Sequence, residues 1–363
     1  MRTALEKIGT WSAIRDEWLR LYAISEARFF LSPGWIEALL ALKPGDGDFH
    51  CLRVFDDLRG VYGMAIVGAP TPRSFAGQRI AHINESGDPA IDRVFIEYND
   101  ILLAKGAPDY AREAAIAAVF DALPRVEEFV IRNARPALAR AAEGAARAAG
   151  FAVNVLSVQP TFAIDLTAPV FNSFSPALRK KIRRSIRRYE ARGPLRIERP
   201  VSEAERAVAW TSLMRLHART WSQRDKVGVF NAPDFTAFHL RLVDGDPERT
   251  DLLRLVAGDE TIGVLYNFID RNSVRNYQSG FYYESDNQLA PGFVAHALAA
   301  EHYRSRGFAC YDLMAGDAEY KRRLGAPGES LTTLALIRPT LRMKLRERLK
   351  QLRRVPGANG RQT

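Results

Sequence analysis

Residues 274–325 read VRNYQSGFYYESDNQLAPGFVAHALAAEHYRSRGFACYDLMAGDAEYKRRLG, and this stretch decides the fold. Its first ten residues, Val274–Tyr283, are rich in aromatic and β-branched types and predict a strand. A polar break follows, and the chain restarts at Leu289-Ala290-Pro291-Gly292. Pro291 suits the first turn of a helix, and Phe293, Val294, Ala297 and Leu298 give that helix an apolar face over 291–306. FACYDL (308–313) predicts the next strand, a short helical stretch follows, and LTTLALI (331–337) predicts the last. Strands alternating with helices in this way imply a mixed sheet covered by helices, an α/β (α+β) architecture.

The same order occurs about 200 residues earlier. SPGWIEALLAL (32–42) reads as a helix with Ser32 as its cap, followed by two extended runs, FHCLRVF (49–55) and VYGMAIVGA (61–69). The second copy has a helix at Pro233, Phe235 and Phe238, then LLRLVA (252–257) and TIGVLYNFID (261–270) across a turn at Gly258–Glu260. In the first copy RVFIEYNDILL (93–103) predicts a strand, 110–122 a helix, VEEFVIR (126–132) a strand, 136–149 a helix and FAVNVLSV (151–158) a strand. Self-similarity at domain length points to duplication. Pro169 and polar residues interrupt the pattern, which divides the chain into 1–168, 169–337, a basic amphipathic helix over 338–355 and a disordered tail over 356–363.

The net charge of +10 is concentrated in two short segments. Residues 179–192 and 338–354 each carry +7, so the remainder sums to −4. In 176–192 Leu178, Ile182, Ile186 and Tyr189 form one stripe opposite the basic residues. In 338–354 Leu341, Leu345, Leu349 and Leu352 do the same. Both can be solvated faces, or can meet an anionic partner: phosphates, an anionic acceptor or tRNA for the first, a membrane surface or a partner protein for the second. No apolar run reaches the length of a membrane span, the first residues lack a secretory apolar core, and Cys51 and Cys310 fall in separate halves. These features predict a reducing, cytoplasmic setting, peripheral to the inner membrane face if the second segment binds there.

Three motifs carry a resemblance. SPALRKKIRRSIRRYEARG (175–193), LHARTWSQRDKVGVF (216–230) with Trp221, Arg224 and Phe230, and the stretch from Ser279 to Gly325 resemble the acyltransferase domain of CelD-like proteins. These are GNAT-superfamily enzymes linked to cellulose biosynthesis, and they are similar to the FemABX peptidyltransferases, which carry two GNAT-like domains and use aminoacyl-tRNA. The resemblance implies two tandem GNAT-like domains, the first without a cofactor, and an acyl-CoA site in the second. Leu289-Ala290-Pro291-Gly292 stands where the usual GNAT phosphate loop would lie, without that loop's consensus.

An acyl-CoA site needs free amides for the pyrophosphate, a strand edge for the pantetheine amides, and groups that move protons. Leu289, Ala290, Pro291, Gly292 and Phe293 supply the helix start, and Ser279, Gly280 and Phe281 the strand edge. Gly280 reads equally as a mid-strand bulge. Asp317, Tyr320 and Lys321 match the family's acidic-Tyr-Lys motif, with Asp317 as base or acceptor-orienting carboxylate, Tyr320 as acid for the thiolate and Lys321 as anion binder. Asp312 ends its strand at the cleft mouth. His217 lies on the apolar face of a helix opened by the capping box Ser202–Glu205, a position that favours a core histidine over a catalytic one. Trp221, Tyr277, Tyr283 and Arg224 are candidates for binding the acceptor, Arg224 through bidentate pairing with an anion.

No nucleophile elbow, Walker loop or zinc-type Cys/His spacing is present, so the spacing indicates no metal. The reading is a CoA-dependent N-acyltransferase acting by direct transfer on an amine of a small metabolite or cell-surface glycan precursor. An aminoacyl-tRNA-dependent ligase of FemABX type and a non-catalytic scaffold at a membrane synthase stand as alternatives.

Overall fold

The computed structural model describes residues 1–43, 48–70, 78–222 and 228–340. The first half contains β1 (Arg2–Ile8), α1 (Arg15–Ala23), α2 (Pro33–Ala41), β2 (Phe49–Asp56), β3 (Gly60–Gly68), β4 (Ile80–Ile83), β5 (Leu102–Leu103), α3 (Ala111–Ala122), β6 (Glu128–Ala134), α4 (Pro136–Ala148) and β7 (Ala152–Asp165). The second contains α5 (Val170–Ser173), α6 (Pro176–Glu190), β8 (Leu195–Glu198), α7 (Glu203–Ser222), α8 (Pro233–Gly245), β9 (Thr250–Ala257) and β10 (Glu260–Asp270). It continues with β11 (Ser273–Phe281), α9 (Pro291–Ser305), β12 (Cys310–Ala315), α10 (Glu319–Leu324) and β13 (Ala326–Ile337). No described helix is long and apolar enough to cross a membrane. The leucine stripe of the basic C-terminal segment, the tail, and Arg224 lie outside the described residues.

One sheet runs through the whole molecule in the order β1-β2-β3-β4-β6-β13-β7-β12-β11-β10-β9-β8, with β5 pairing β3 off this path. Read from either edge, the order is the same. Each half contributes an antiparallel run that ends in one short parallel pair. In the first half that pair is Ile80–His82 of β4 against Glu128–Val130 of β6; in the second it is Ser273–Arg275 of β11 against Cys310–Asp312 of β12. The closing strands are exchanged. β13 pairs with β6 of the first half, β7 pairs with β12 of the second, and β7 and β13 pair with each other through the middle.

Three apolar clusters follow from this layout. One lies under α3 and α4 and takes in Leu334 and Leu336 of β13. A second lies under α5, α6 and α9 and takes in Phe162 and Ile164 of β7. The third joins the halves on the other face, where Phe29 stacks on Phe268 with centroids 4.0 Å apart and Trp35 meets Phe238 edge-on at 4.7 Å. The helices start where their caps dictate: Ser32 Oγ accepts from Trp35 N, Ser175 Oγ from Leu178 N, and Ser202 and Glu205 close the capping box of α7.

The expected strand over 93–103 is a correction. Only Leu102–Leu103 is extended in a ladder; Ile91–Val94 forms a 3-10 turn, and Phe95 and Tyr98 both adopt left-handed backbone with φ of 49°. A strand cannot continue through two such residues. The strand that occupies this place in the sheet is β4, which sequence patterning passed over together with the edge strands β1 and β8. All three are short or strongly polar.

Because Leu334 belongs to the first half's core although it lies on β13, Leu334→Ala should cost about 2–5 kcal/mol in urea unfolding. Amide exchange in β6 should accelerate in the same variant, which a defect confined to the second half would not cause.

Candidate active site

The two parallel pairs are wedges that open after three rungs, and they have different contents. In the first half the chain fills its own wedge. Asn99 bridges to Ala134, its amide donates to Asn133 O (3.0 Å), its carbonyl accepts from Arg135 N (3.0 Å), and its Nδ2 donates to Ile83 O (2.9 Å). Asn84 completes the plug by donating to Asn99 Oδ1 (2.9 Å) and Asp100 O (2.7 Å). In the second half the wedge is a cavity of about 730 Å³. Asn276, Tyr277, Gln278, Ser279 and Phe281 of β11 line one side, and Leu313, Met314 and Ala315 of β12 the other.

The apex of this wedge is held by charge. Arg275 is 3% exposed, donates to Asp270 Oδ2 through Nε (3.1 Å) and Nη2 (2.9 Å), and pairs with Asp312 on the neighbouring strand. Tyr98 comes from the first half, places its ring 4.5 Å from the guanidinium carbon and donates its hydroxyl to Asp312 Oδ2 (2.6 Å). Asp312 is therefore a buried structural carboxylate that anchors the strands below the cavity and does not line it, a correction to its expected place at the cleft mouth.

β11 gains an extra residue at Tyr277, where its register with β10 shifts; a bulge of this kind re-aims the strand beside the opening. The Tyr277 hydroxyl donates to Val94 O in the first half. Gly280 faces α7, where a Cβ would come within 2.9 Å of Leu213 O and Leu216 Cβ. Its missing side chain lets the helix lie directly on the strand, so neither a mid-strand bulge nor approach to a ligand accounts for it.

Of the other expected residues, His217, Trp221, Tyr277, Ser279, Phe281, Tyr283, Leu289, Ala290, Gly292, Phe293, Tyr320 and Lys321 all line the cavity. Pro291 is buried at the start of α9, whose first turn has no side-chain cap. Ala290 N is bonded to Ser185 Oγ on α6 (2.9 Å), and the first helical bond is Val294 N to Ala290 O (3.1 Å), leaving the amides of Gly292 and Phe293 ahead of it. Lys181 of α6 and Arg323 of α10 each lie 5.0 Å from the Phe293 ring centre, so two cations flank this helix start. Asp317 stands apart. Its side chain is 58% exposed, pairs with Arg322, and is not part of the cavity lining.

Other lining residues were not foreseen, among them Glu97, Lys181 and His296. Glu97 reaches the cavity from the first half, on the turn between the left-handed residues Phe95 and Tyr98. Its Oε2 accepts from Ala315 N (2.9 Å), and burial, resisted by that bond and by Lys321, pushes its carboxyl up to about 7. Lys321 donates to Met314 O (3.3 Å) and Ala315 O (2.5 Å), and burial lowers its pKa. His296 bonds Tyr311 OH through Nδ1 (3.2 Å), stacks on Tyr320 and is held neutral, its pKa pressed by burial to about 3. Burial likewise lowers His217 to about 4 and raises Tyr320 to about 12. The cavity thus combines a carboxyl that titrates near neutrality, a phenol that keeps its proton, and cations at one end.

This geometry can be set beside known proteins. Residues 176–322 match the family model described as acetyltransferase (GNAT) domain. No curated protein matches the sequence. Among solved structures the chain is similar to FemX, with a TM-score of 0.61 at 12% identity over 97% of this chain and 100% of that one. It is also similar to the C-terminal domain of a putative lysylphosphatidylglycerol synthetase from Agrobacterium fabrum, with a TM-score of 0.52 at 12% identity over 93% and 97% of the two chains. L-PGS from Bacillus licheniformis gives 0.52 at 10% identity over 92% and 96%. The second half therefore carries a GNAT acetyltransferase domain, and the whole chain shares the fold of FemX. Residues 176–322 form an acyltransferase domain of GNAT type.

Asp312→Ala leaves Arg275 with one buried partner in place of two and should cost about 3–5 kcal/mol in denaturant unfolding. A stable variant with lost turnover would return Asp312 to the chemistry.

Proposed function

We propose that this chain is a CoA-dependent N-acyltransferase that transfers an acyl group directly to an amine in a ternary complex. The observation that carries the reading is the contrast between two equivalent wedges, one filled by Asn99 and the other an open cavity with a helix start at its end. The amides of Gly292 and Phe293, aided by the helix dipole and by Lys181 and Arg323, suit a pyrophosphate. The edge of β11 from Tyr277 to Phe281 suits the pantetheine amides. Glu97 is the base: it takes a proton from the acceptor ammonium and frees its lone pair, the amine attacks the thioester carbonyl, the C–N bond forms as the C–S bond breaks, Tyr320 protonates the leaving thiolate, and the second nitrogen proton returns to Tyr320. The sequence had given the base role to Asp317, whose solvent-facing pair with Arg322 removes it from reach. The acceptor enters past His217, Trp221, Tyr277 and Tyr283, and is an amine of a small metabolite or glycan precursor, as the CelD-like resemblance implies. A cytoplasmic setting, and contact with an anionic surface through 338–354, belong to the same proposal and rest on sequence alone.

An aminoacyl-tRNA donor is the second reading. It is favoured by the exposed row Lys180, Arg183, Arg184 and Arg187, which continues from Lys181 along α6 away from the cavity. Thermal shift separates the two readings. At 100-fold excess over its dissociation constant, an acyl-CoA should stabilise the protein by about 2.7 kcal/mol. No shift with any acyl-CoA, together with salt-sensitive binding of aminoacyl-tRNA, would reverse the order.

Glu97→Gln should lower kcat/KM by about 10²–10⁴. Wild-type turnover should fall as the pH drops through about 7, the range in which Glu97 gains its proton. Stability should move the other way. A carboxyl whose folded pKa is raised favours folding while protonated, and that contribution is lost as pH rises from the unfolded value toward and past 7. Glu97→Gln should therefore melt above wild type at pH 8, and a melting point below wild type there would assign Glu97 to structure.

A further inference from the structure

At the end of β4, far along the sheet from the cavity, three buried side chains converge. His82, Glu85 and Asp92 place a ring nitrogen and two carboxylate oxygens within 4.8 Å of one another. Glu85 is 1% exposed and His82 7%, and among the described residues neither Glu85 Oε2 nor His82 Nδ1 has a hydrogen-bond partner. These two atoms lie 3.8 Å apart. That is too long for a hydrogen bond. It is close to the roughly 3.4 Å that separates two ligands of a tetrahedral ion whose bonds are about 2.0–2.2 Å long. Leaving both atoms unpaired in a buried site costs free energy, so the arrangement calls for something between them.

The remaining contacts hold the carboxylates in place. Ser86 donates its amide (2.8 Å) and hydroxyl (2.7 Å) to Asp92 Oδ1, and Gly87 N donates to Oδ2 (2.8 Å). Arg132 donates to Glu85 Oε1 (3.1 Å), the oxygen that does not face His82. Outer bonds of this kind orient metal ligands. We propose that His82, Glu85 and Asp92 bind one divalent transition-metal ion of the zinc class, which clips the turn between β4 and the Ile91–Val94 segment. An imidazole beside two carboxylates suits zinc better than magnesium or calcium, which prefer oxygen alone.

The site was not legible as a motif because its ligands come from a strand end and a turn, with no Cys/His spacing of the usual kind. Its place gives it a function. Asp92 lies five residues before Glu97, and the clipped turn leads directly into Phe95–Tyr98, the segment that delivers Glu97 to the cavity and Tyr98 to Arg275.

The test uses the full chain and Zn²⁺ alone, and is independent of any acyl donor. After dialysis against EDTA, calorimetric titration should show one Zn²⁺ per chain, and Zn²⁺ should restore a melting temperature that chelation lowered. His82→Ala should abolish the 1:1 binding. Ser86→Ala, which keeps all three ligands, should weaken it about 10–100-fold and decides the matter if His82→Ala does not fold. Absence of saturable Zn²⁺ binding by the wild-type protein, with a melting temperature unmoved by EDTA, overturns the proposal and leaves a proton shared between Glu85 and His82. Binding undiminished in Ser86→Ala and His82→Ala would place the ion elsewhere and overturn it equally.

Discussion

The buried guanidinium of Arg275 is the point on which the rest of the structure turns. It sits on the last rung of the parallel pair between β11 and β12, where two strands part and a cavity begins. A sheet that splits loses its ladder bonds, and something must fix the angle at which it does so. Here one cation between Asp270 and Asp312 supplies the anchor, and the Tyr98 ring seals it from the first half. Such a network is costly to bury and stabilises only when complete. Met314 N completes it by donating to Asp312 Oδ1 (2.7 Å), which also bends the backbone at Met314 into a left-handed turn and brings its carbonyl to Lys321. The anchor and the cavity floor are therefore one construction.

Among the described residues the molecule has two wedges and one vacancy. The peptide of Asn99 makes, inside the first wedge, hydrogen bonds of the sort that an inserted ligand would make with a separated strand pair. The residues just before it do the opposite and leave their own half: Tyr98 reaches Arg275, and Glu97 reaches Ala315 N. One short segment thus closes one site and equips the other. The two left-handed residues that frame it, Phe95 and Tyr98, are the backbone cost of turning the chain outward and back.

Much of the fold was readable because its signals are local. The Ser-Pro helix starts, the turn that joins β9 to β10 and the Pro-Gly opening of α9 are set by neighbours in sequence, and the structure contains each of them. The lining of the cavity was readable where it follows from one strand and one helix, as with Ser279, Phe281, Gly292 and Phe293. Glu97 was not, because FIEYND alternates like a strand and nothing local announces that Asn99 will plug a wedge. Lys181 was indistinguishable from Lys180 beside it; only the packing of Leu178, Ile182 and Tyr189 decides which lysine faces Phe293. Asp317 shows the converse. A residue in a recognisable run faced solvent because α10 begins just after it and Arg322 holds it outward.

The exchange of β7 and β13 also sets the order in which the protein can come into being. Ile131 waits for Leu334, a partner about 200 residues later in the chain. During vectorial synthesis the first half emerges with β6 as a bare edge, its apolar face short of Leu334 and Leu336. Contacts so distant in sequence slow folding, and open strand edges invite pairing with other nascent chains. The first half is therefore not a module that matures early and waits. It stays an unfinished client of the ribosome and its chaperones until nearly the last strand is released, and both halves reach their final form in the same closing event.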